Sequence, residues 1–278
     1  MRKSLITTAV LGALAAPSFV FAADAAPAPD LSVSYNVGLY SQYIFRGLTQ
    51  TNRKPALQGG VDLTHSSGFY LGAWGSNISW LTDNAGTTGR SYYTSGGSLE
   101  IDLYGGYRHT FDSIGSGLGV DVGALQYWYP GKLDSANFAD ANTTELYAAL
   151  SYGWLQAKYS GVVSNDAWGW GKVGSSGNNA SGTYYAELNA TIPIGDLVGA
   201  SPLKGLTGLV HFARQDFSGA GNEYASYNDW KIGLQKAFDS GVNVGAYYTD
   251  TNAATSAWTY AGKNIGDATG TAYIQKTF

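Results

Sequence analysis

The chain has 278 residues, no cysteine and a formal charge of −4, and it is 44% hydrophobic but only 13% charged. The lack of cysteine excludes disulfides, thiol chemistry and thiolate metal sites. The net negative charge argues against nucleic acid as a partner. Beyond the N-terminal leader, no apolar run approaches the roughly 18 residues that a membrane-spanning helix needs.

The N-terminus has the pattern of an export signal. Arg2 and Lys3 precede an apolar run over residues 5–21, so we expect residues 1–22 to be a signal peptide that is removed. Removal of these two cations brings the formal charge of −4 to about −6. The alternative, an N-terminal membrane anchor, is disfavoured because the run is short and contains a glycine and a proline. Residues 23–30 are predicted to be a flexible periplasmic tail.

An alternation of apolar and polar residues recurs through the rest of the chain. Leu99 and Ile101 fall on one face of an extended segment, while Glu100 and Asp102 fall on the other. About twelve segments have this period and are predicted to be strands: 31–44, 56–64, 69–79, 99–108, 118–129, 144–150, 155–163, 184–192, 206–217, 227–238, 242–249 and 272–278. The strand at 206–217 has the least regular pattern.

The lengths of the connections distinguish a membrane barrel from a soluble sandwich, which shows the same alternation. Short connections at 65–68, 110–116, 151–153, 193–204 and 239–241 alternate with long ones at 46–54, 80–97, 130–143, 164–182, 218–226 and 250–269. Outer-membrane barrels have short periplasmic turns and long external loops. We therefore predict an all-β fold, a transmembrane antiparallel up-and-down β-barrel of about 12 strands over residues 31–278 in the cell outer membrane.

Aromatic residues cluster near both ends of the predicted strands, which is typical of two belts at the membrane interfaces. On the long-loop side we place Trp80, Trp128, Tyr129, Trp168, Trp170, Tyr184, Tyr185, Tyr227, Trp230 and Tyr248. On the short-turn side we place Phe69, Tyr70, Tyr107, Tyr152, Trp154, Phe238 and Phe278.

Charged residues on the face opposite to the apolar one are predicted to line the lumen, because a cation at the bilayer midplane costs about 2–4 kcal/mol. The candidate pore-lining residues are Asp62, Glu100, Asp102, Asp121, Glu145, Glu187, Arg108, Lys158 and Lys231, together with Arg46 and His211. The acidic excess favours cationic or zwitterionic solutes in a water-filled path. The alternative is that these charges pair with one another and fill a small barrel.

Two of these candidates allow more than one interpretation. Arg46 lies where the first strand leaves the membrane, and it either folds inward to pair with a lumen acid, which we favour because Gly47 permits a sharp turn, or reaches lipid phosphate. His211 is the only histidine predicted within a strand, since His65 and His109 fall in predicted turns. It is either a member of a polar network or the base of a barrel lipid enzyme, and we expect no enzyme activity.

No cofactor or metal site is predicted. The glycine pattern at residues 169–174 matches a dinucleotide fingerprint, but the residues that follow it predict a loop where the fingerprint requires a helix. The acidic loop residues fit no calcium-loop spacing.

Three segments near the N-terminus resemble a known family. They are SQYIFRGLTQ at 41–50, PALQGG at 55–60 and SGFYLGAWGS at 67–76. This run resembles the TorF-like family of outer-membrane porins, formerly conserved proteins of unknown function, and the later hairpins and the terminal Phe278 are similar in layout. The resemblance implies a small-solute channel and brings no established catalytic residues. Lys276 departs from the apolar or aromatic residue that is common two places before a terminal phenylalanine.

The first hypothesis for function is therefore a porin-like channel for passive diffusion of small hydrophilic solutes, cationic or zwitterionic. The second is a structural or surface-adhesion barrel with a filled lumen and binding loops, and the third is a lipid enzyme that depends on His211. Expected partners are outer-membrane lipids, lipopolysaccharide, the barrel-assembly machinery and small solutes, and no nucleic acid.

Overall fold

The computed structural model of the chain describes residues 30–86, 89–115, 117–173 and 177–278. The predicted signal peptide, the tail up to residue 29 and Gly174 of the glycine pattern lie outside these ranges. Within the described ranges, no helix has the length and apolar character needed to span a membrane.

The regular secondary structure of the described residues is almost entirely β. The strands in chain order are β1 (Leu31–Tyr40), β2 (Ile44–Phe45), β3 (Leu48–Thr49), β4 (Ala56–His65), β5 (Phe69–Asn77), β6 (Tyr93–Gly96), β7 (Leu99–Phe111), β8 (Leu118–Trp128), β9 (Gly131–Leu133), β10 (Thr143–Tyr152), β11 (Leu155–Val162), β12 (Tyr184–Ile192), β13 (Leu206–Asp216), β14 (Tyr227–Ala237), β15 (Val242–Thr251), β16 (Thr259–Tyr260), β17 (Lys263–Asn264) and β18 (Thr269–Thr277). Helices are limited to the short α1 (Ile194–Val198) and two single 3₁₀ turns at Ser201–Leu203 and Glu223–Ala225.

Twelve of these strands form one closed antiparallel barrel, which confirms the predicted fold. The barrel order is β1, β18, β15, β14, β13, β12, β11, β10, β8, β7, β5 and β4, and the ring closes because β1 pairs with both β4 and β18. Closure leaves no strand edge unpaired, as a barrel in hydrocarbon requires. The six short strands form three small two-stranded sheets, β2 with β3, β6 with β9 and β16 with β17.

The alternation in sequence becomes an outer and an inner face. On β1, Leu31, Val33 and Leu39 point outward and are about half exposed, while Gly38 is buried on the inner face. The same parity holds on β7, where Leu103 points outward and Asp102 is buried. The outer face is thus an apolar surface, which is more stable in contact with hydrocarbon than with water.

The two ends of the barrel differ as the loop lengths predict. The turns at one end are short, although the connection after β12 contains α1 and a 3₁₀ turn that the sequence did not indicate. The long connections at the other end carry the three small sheets, and β6 and β9 join two different connections to each other. We call these two ends the turn end and the loop end.

Several strand boundaries differ from prediction, among them the end of β4, which includes His65 and so places it in a strand. The first barrel strand ends at Tyr40 rather than Ile44, because the chain leaves the barrel wall there and Ile44 instead begins the hairpin of β2 and β3. Strand β7 continues to Phe111, paired with β8, so His109 lies in a strand and not in a turn.

The predicted aromatic belt at the loop end is largely wrong. Trp128, Trp230 and Tyr248 do point outward. Trp80, Tyr129, Trp168, Tyr185 and Tyr227 are instead buried inside the molecule. Several of these rings join aromatic residues of the long loops, because folded loops bury them better than an interface would. At the turn end, Phe69, Tyr152, Trp154, Phe238 and Phe278 are exposed on the outside, as expected. The prediction is wrong for Tyr70, which is buried in the interior.

Close packing inside the barrel depends on Gly106 in β7. A Cβ atom at Gly106 would meet the backbone oxygen of Val122 and would lie 2.7 Å from the hydroxyl of Tyr70. We expect Gly106→Ala to lower the free energy of unfolding by about 1–3 kcal/mol, as other overpacked sites do, measured by urea unfolding in lipid vesicles. The control is Gly270→Ala, whose added Cβ meets nothing nearer than 3.9 Å. Equal stability of the two variants would contradict the prediction.

Candidate functional site: the barrel interior and the loop-end mouth

Apart from Arg46, the predicted lumen charges lie on the inner face of the barrel strands, and their exposure differs. Glu100, Asp102 and Glu145, near the loop end, are fully buried. Arg108 and Asp121, nearer the turn end, keep partial exposure, and so does Lys158 on β11. These partly exposed charges lie in the middle and turn-end parts of the strands, whereas the three carboxylates at the loop end are shielded from solvent.

The three buried carboxylates near the loop end have unequal hydrogen bonding. Glu100 accepts a bond of 2.7 Å from the hydroxyl of Tyr43, and Glu145 accepts one of 3.1 Å from the hydroxyl of Tyr127. Asp102 is 0% exposed, and neither of its carboxylate oxygens has a hydrogen-bond partner among the described residues.

Arg46 lies at the tip of the hairpin formed by β2 and β3, and this hairpin folds into the barrel mouth. Both turn residues have positive φ, 47° at Arg46 and 80° at Gly47, as a tight two-residue hairpin turn requires. The guanidinium is 2.8 Å from Glu145 Oε2 and donates a 2.9 Å bond to Gln215 Oε1. The exposed fraction is 7% for the Arg46 side chain and 1% for that of Glu145. Arg46 therefore points inward and not toward lipid phosphate.

Aromatic rings complete the surroundings of Arg46. Its guanidinium carbon lies 4.4 Å from the ring centre of Tyr185 and 4.9 Å from those of Phe45 and Trp168. A guanidinium at these distances gains attraction from the ring faces. Burial lowers the pKa of Arg46, but the charge and hydrogen bond of Glu145, together with Tyr127 and Tyr185, raise it by more, so the net pKa is raised and the side chain stays charged. We call the contact between Arg46 and Glu145 the latch.

Above the latch, the long loops pack into an apolar cap. We define the loop-end cluster as the buried rings of Phe45, Trp80, Tyr92, Tyr129, Trp168, Phe217, Trp258 and Tyr260. Neighbouring rings meet edge to face, for example Trp80 with Tyr129 at 5.5 Å. The cluster closes the loop-end mouth of the barrel.

The middle of the interior is a network of tyrosines and charges. The hydroxyl of Tyr104 donates a 2.6 Å bond to Asp62, and the hydroxyl of Tyr70 donates a 2.6 Å bond to Asp121. The Tyr70 hydroxyl also contacts that of Tyr147. Cations lie over the same rings, with the guanidinium carbon of Arg108 3.7 Å from the ring centre of Tyr70. The acids on this wall are thus held by hydroxyls and cations together.

A second network surrounds His211 on the opposite wall. Its Nδ1 atom is 2.6 Å from Asn189 Oδ1, and its Nε2 atom is 3.1 Å from Asp229 Oδ1 and 2.9 Å from the hydroxyl of Tyr185. Tyr185 also donates to Asp229, at 3.0 Å. Glu187 accepts a 2.9 Å bond from Asn189. Both ring nitrogens of His211 are therefore engaged within a polar network.

The register of β13, which carries His211, is regular. Leu209 and His211 are buried on the inner face, while Phe212 is exposed on the outer face. The sequence looked irregular because Leu209 is an apolar residue on the inner face, next to the outward Val210. Lys231, paired with His211 across β13 and β14, also lies on the inner face.

Sequence reasoning missed several residues of the interior. Asp229 is buried two places from Lys231 on β14, and this spacing could have placed it on the inner face. The strand-end position of Tyr185 predicts an interface residue, and Gln215 is not among the predicted pore-lining residues, yet both are buried in the interior. Tyr43 had no usable signal, because its position depends on the inward fold of a loop.

The structure separates the predicted residues into three groups and does not gather them at one point. Arg46, Glu100, Asp102 and Glu145 lie at the loop-end mouth. Asp62, Arg108 and Asp121 occupy the wall of β4, β7 and β8. Lys158, Glu187, His211 and Lys231 lie on β11 to β14. Within the described ranges, no three His, Cys, Asp or Glu side chains are arranged to hold a metal ion.

A family model covers most of this chain. Residues 24–278 match the family Gcw_chp, described as a bacterial protein of unknown function. The chain belongs to this family. The match includes every barrel strand and the hairpin that carries Arg46, so the barrel and its mouth are parts of the family domain. No curated protein sequence matches the chain.

Solved structures of porins are similar to the chain at low identity. The KdgM porin is 10% identical with a TM-score of 0.45, over 88% of this chain and 98% of that one. OccK5 (OpdH) of Pseudomonas aeruginosa is 14% identical with a TM-score of 0.41, over 90% of this chain and 67% of that one. OprD of Pseudomonas aeruginosa is 14% identical with a TM-score of 0.38, over 90% of this chain and 66% of that one.

Proposed function

We propose that the protein is an outer-membrane channel for passive diffusion of small hydrophilic solutes, with a preference for cationic or zwitterionic ones, and that the latch holds its loop-end mouth closed. This is the function implied by the resemblance to TorF-like porins. The observation that carries the proposal is the partial exposure of Arg108, Asp121 and Lys158 inside the barrel. Water that reaches charged side chains in the interior is the beginning of a conducting path.

The charge of the interior supports the preference for cations. On the inner faces of the barrel strands and the hairpin, seven carboxylates stand against four cations, an excess of three, with His211 counted as neutral. The carboxylates are Asp62, Glu100, Asp102, Asp121, Glu145, Glu187 and Asp229, and the cations are Arg46, Arg108, Lys158 and Lys231. A negative potential along the wall raises the local concentration of cations.

The loop-end cluster also has features of a closure that can open. The indole N–H groups of Trp80 and Trp168, and that of Trp170 packed against the cluster, are buried without a hydrogen-bond partner among the described residues. Each such group costs about 1–3 kcal/mol while it is closed off from water. Movement of the hairpin away from the mouth would hydrate these groups, which lowers the cost of opening.

A second candidate function has its own support. The loop-end cluster leaves a gap of only about 20 Å³ beside Phe45, Trp80 and Trp168, about the room that one water needs. A permanently sealed mouth would make the protein a structural or adhesion barrel whose long loops bind partners. We favour the channel because such a barrel gives no reason for charged side chains that keep partial exposure inside the barrel.

Planar bilayers and liposome swelling test the proposal directly. We expect the purified barrel to give brief cation-selective openings, with a reversal potential in a KCl gradient that favours K⁺ over Cl⁻. Liposomes should swell faster with small zwitterionic amino acids than with acidic sugars of equal size. A barrel that is folded but does not conduct, or that selects anions, would refute the channel proposal.

A further inference from the structure

We propose that Asp102, together with Glu100 and Glu145, forms a binding site for an organic cation that bears a guanidinium or alkylammonium group, immediately inside the loop-end mouth. This inference deepens the proposed channel function, since it names the class of solute that the interior would hold. The site lies below the hairpin and is built from β7 and β10, which are rigid parts of the barrel wall.

Asp102 is the main reason to expect a ligand. It is 0% exposed, lies on the inner face of β7, and has no protein donor on either oxygen among the described residues. Buried carboxylates without donors are rare, because the loss of hydration is not repaid. Glu100 and Glu145 are each held by a tyrosine hydroxyl, so they are satisfied while Asp102 is not.

The charges around Asp102 favour a positive ligand. Three buried carboxylates lie in this part of the interior, and Arg46 is the cation bound to one of them, Glu145. Electrostatic attraction between opposite charges is strongest where water is excluded. A cationic solute that enters from the turn end would therefore find its most favourable position beside Asp102.

The neighbouring side chains favour an organic cation over a metal ion. The two strands that flank Asp102 place Trp74 and Tyr127 opposite it in register. Aromatic rings next to a carboxylate bind guanidinium and alkylammonium groups, whose charge is spread over a larger, weakly hydrated surface. No three acidic or histidine side chains of the described chain are arranged as metal ligands.

The protein's own Arg46 is bound by the same kinds of group. Its guanidinium contacts a carboxylate, the amide oxygen of Gln215 and the faces of three aromatic rings. A solute with a guanidinium group can make the same kinds of contact to Asp102, Trp74 and Tyr127. The mouth would thus hold one resident cation on Glu145 and one exchangeable cation on Asp102.

Binding is tested with the full-length mature barrel in lipid nanodiscs by isothermal titration calorimetry. The probes are agmatine for the guanidinium class and choline for the alkylammonium class, with sucrose as an uncharged comparison. We expect the native barrel to bind agmatine or choline but not sucrose, and Asp102→Asn to weaken cation binding at least tenfold. The matched control is Asp239→Asn, in a turn where the carboxylate is 89% exposed, and it should bind as the native protein does.

Folding and conduction are measured on the same samples. Asp102→Asn should keep the heat-modifiable gel mobility of the native barrel, because it removes a buried charge that has no protein partner. If folded native protein binds neither cation, or if Asp102→Asn binds as tightly as the native barrel, the inference is overturned. Cation binding by a barrel that does not conduct would support the binding site and refute the channel. Conduction by a barrel that binds neither cation would support the channel and refute the binding site.

Discussion

Arg46→Ala is expected to raise the open probability of the channel in planar bilayers at least tenfold. The change removes the positive half of a buried ion pair and leaves Glu145 without its cation inside the mouth. Breaking a buried pair in this way costs about 3–5 kcal/mol. Since about 1.4 kcal/mol is a factor of ten in an equilibrium, even part of this cost is enough to shift the mouth toward an open form in which water hydrates Glu145.

Further variants of the contact between Arg46 and Glu145 distinguish the effect of the charge of Arg46 from the effect of its planar shape. Arg46→Lys keeps the charge but loses the planar group that contacts Gln215 and the ring of Tyr185, so we expect an intermediate open probability. Arg46→Ala combined with Glu145→Gln leaves no buried charge, and it should open less often than Arg46→Ala alone. This order of variants is specific to a latch.

The matched control uses an arginine on the outside of the same barrel. Arg214 pairs with Asp216 on β13, but its side chain is 43% exposed. Exposed pairs contribute about 0–1 kcal/mol, so Arg214→Ala should leave the open probability unchanged. If Arg46→Ala conducts no more than this control while it remains folded, the latch has no role in closure and the filled-barrel alternative gains support.

The barrel could be predicted from the sequence because the inner and outer faces of each strand can be distinguished from the residues of that strand alone. Asp102 is charged and Ile101 is not, and only one orientation of β7 keeps the charge out of hydrocarbon. This local argument applies to every barrel strand, and it also gave the inner position of His211. The same argument applies to Asp229 on β14, which the predicted pore-lining residues do not include.

The loop-end mouth could not be predicted, because it depends on contacts between segments far apart in the chain. Trp80, Trp168 and Trp258 come from three different loops, and their rings are buried only when those loops fold over one another. An aromatic residue at a strand end is predicted to lie in the interface belt, whether it really lies there or in the loop-end cluster. The resemblance drew attention to Arg46, but Glu145 as its partner follows only from the folded hairpin.

Asp229→Ala is expected to lower the free energy of unfolding by about 3–5 kcal/mol, as breaking a buried network does. Asp229 is 4% exposed, and its carboxylate accepts from the hydroxyl of Tyr185 and contacts Nε2 of His211. Alanine would leave both groups buried without this partner. The measurement is urea unfolding in lipid vesicles, followed by tryptophan fluorescence.

Two further substitutions show whether the burial of Asp229 is the reason for this loss of stability. Asp229→Asn keeps an oxygen acceptor and should lose less stability than Asp229→Ala. Asp239→Ala removes the partner of Lys204 in an exposed turn, and we expect a change within about 1 kcal/mol. A loss for Asp229→Ala no larger than that of Asp239→Ala would mean that the network around His211 contributes little to stability.

Asp229→Ala should also weaken the latch, because Tyr185 contacts both Arg46 and the network around His211. Its hydroxyl bonds to Asp229, and its ring centre lies 4.4 Å from the guanidinium carbon of Arg46. Without Asp229 the ring loses the bond that holds it under the guanidinium, so Asp229→Ala should raise the open probability of an otherwise native channel. In a protein that already carries Arg46→Ala, the ring has no guanidinium to cover, and Asp229→Ala should then leave the open probability unchanged. Additive effects of the two substitutions would mean that Tyr185 does not connect the network to the mouth.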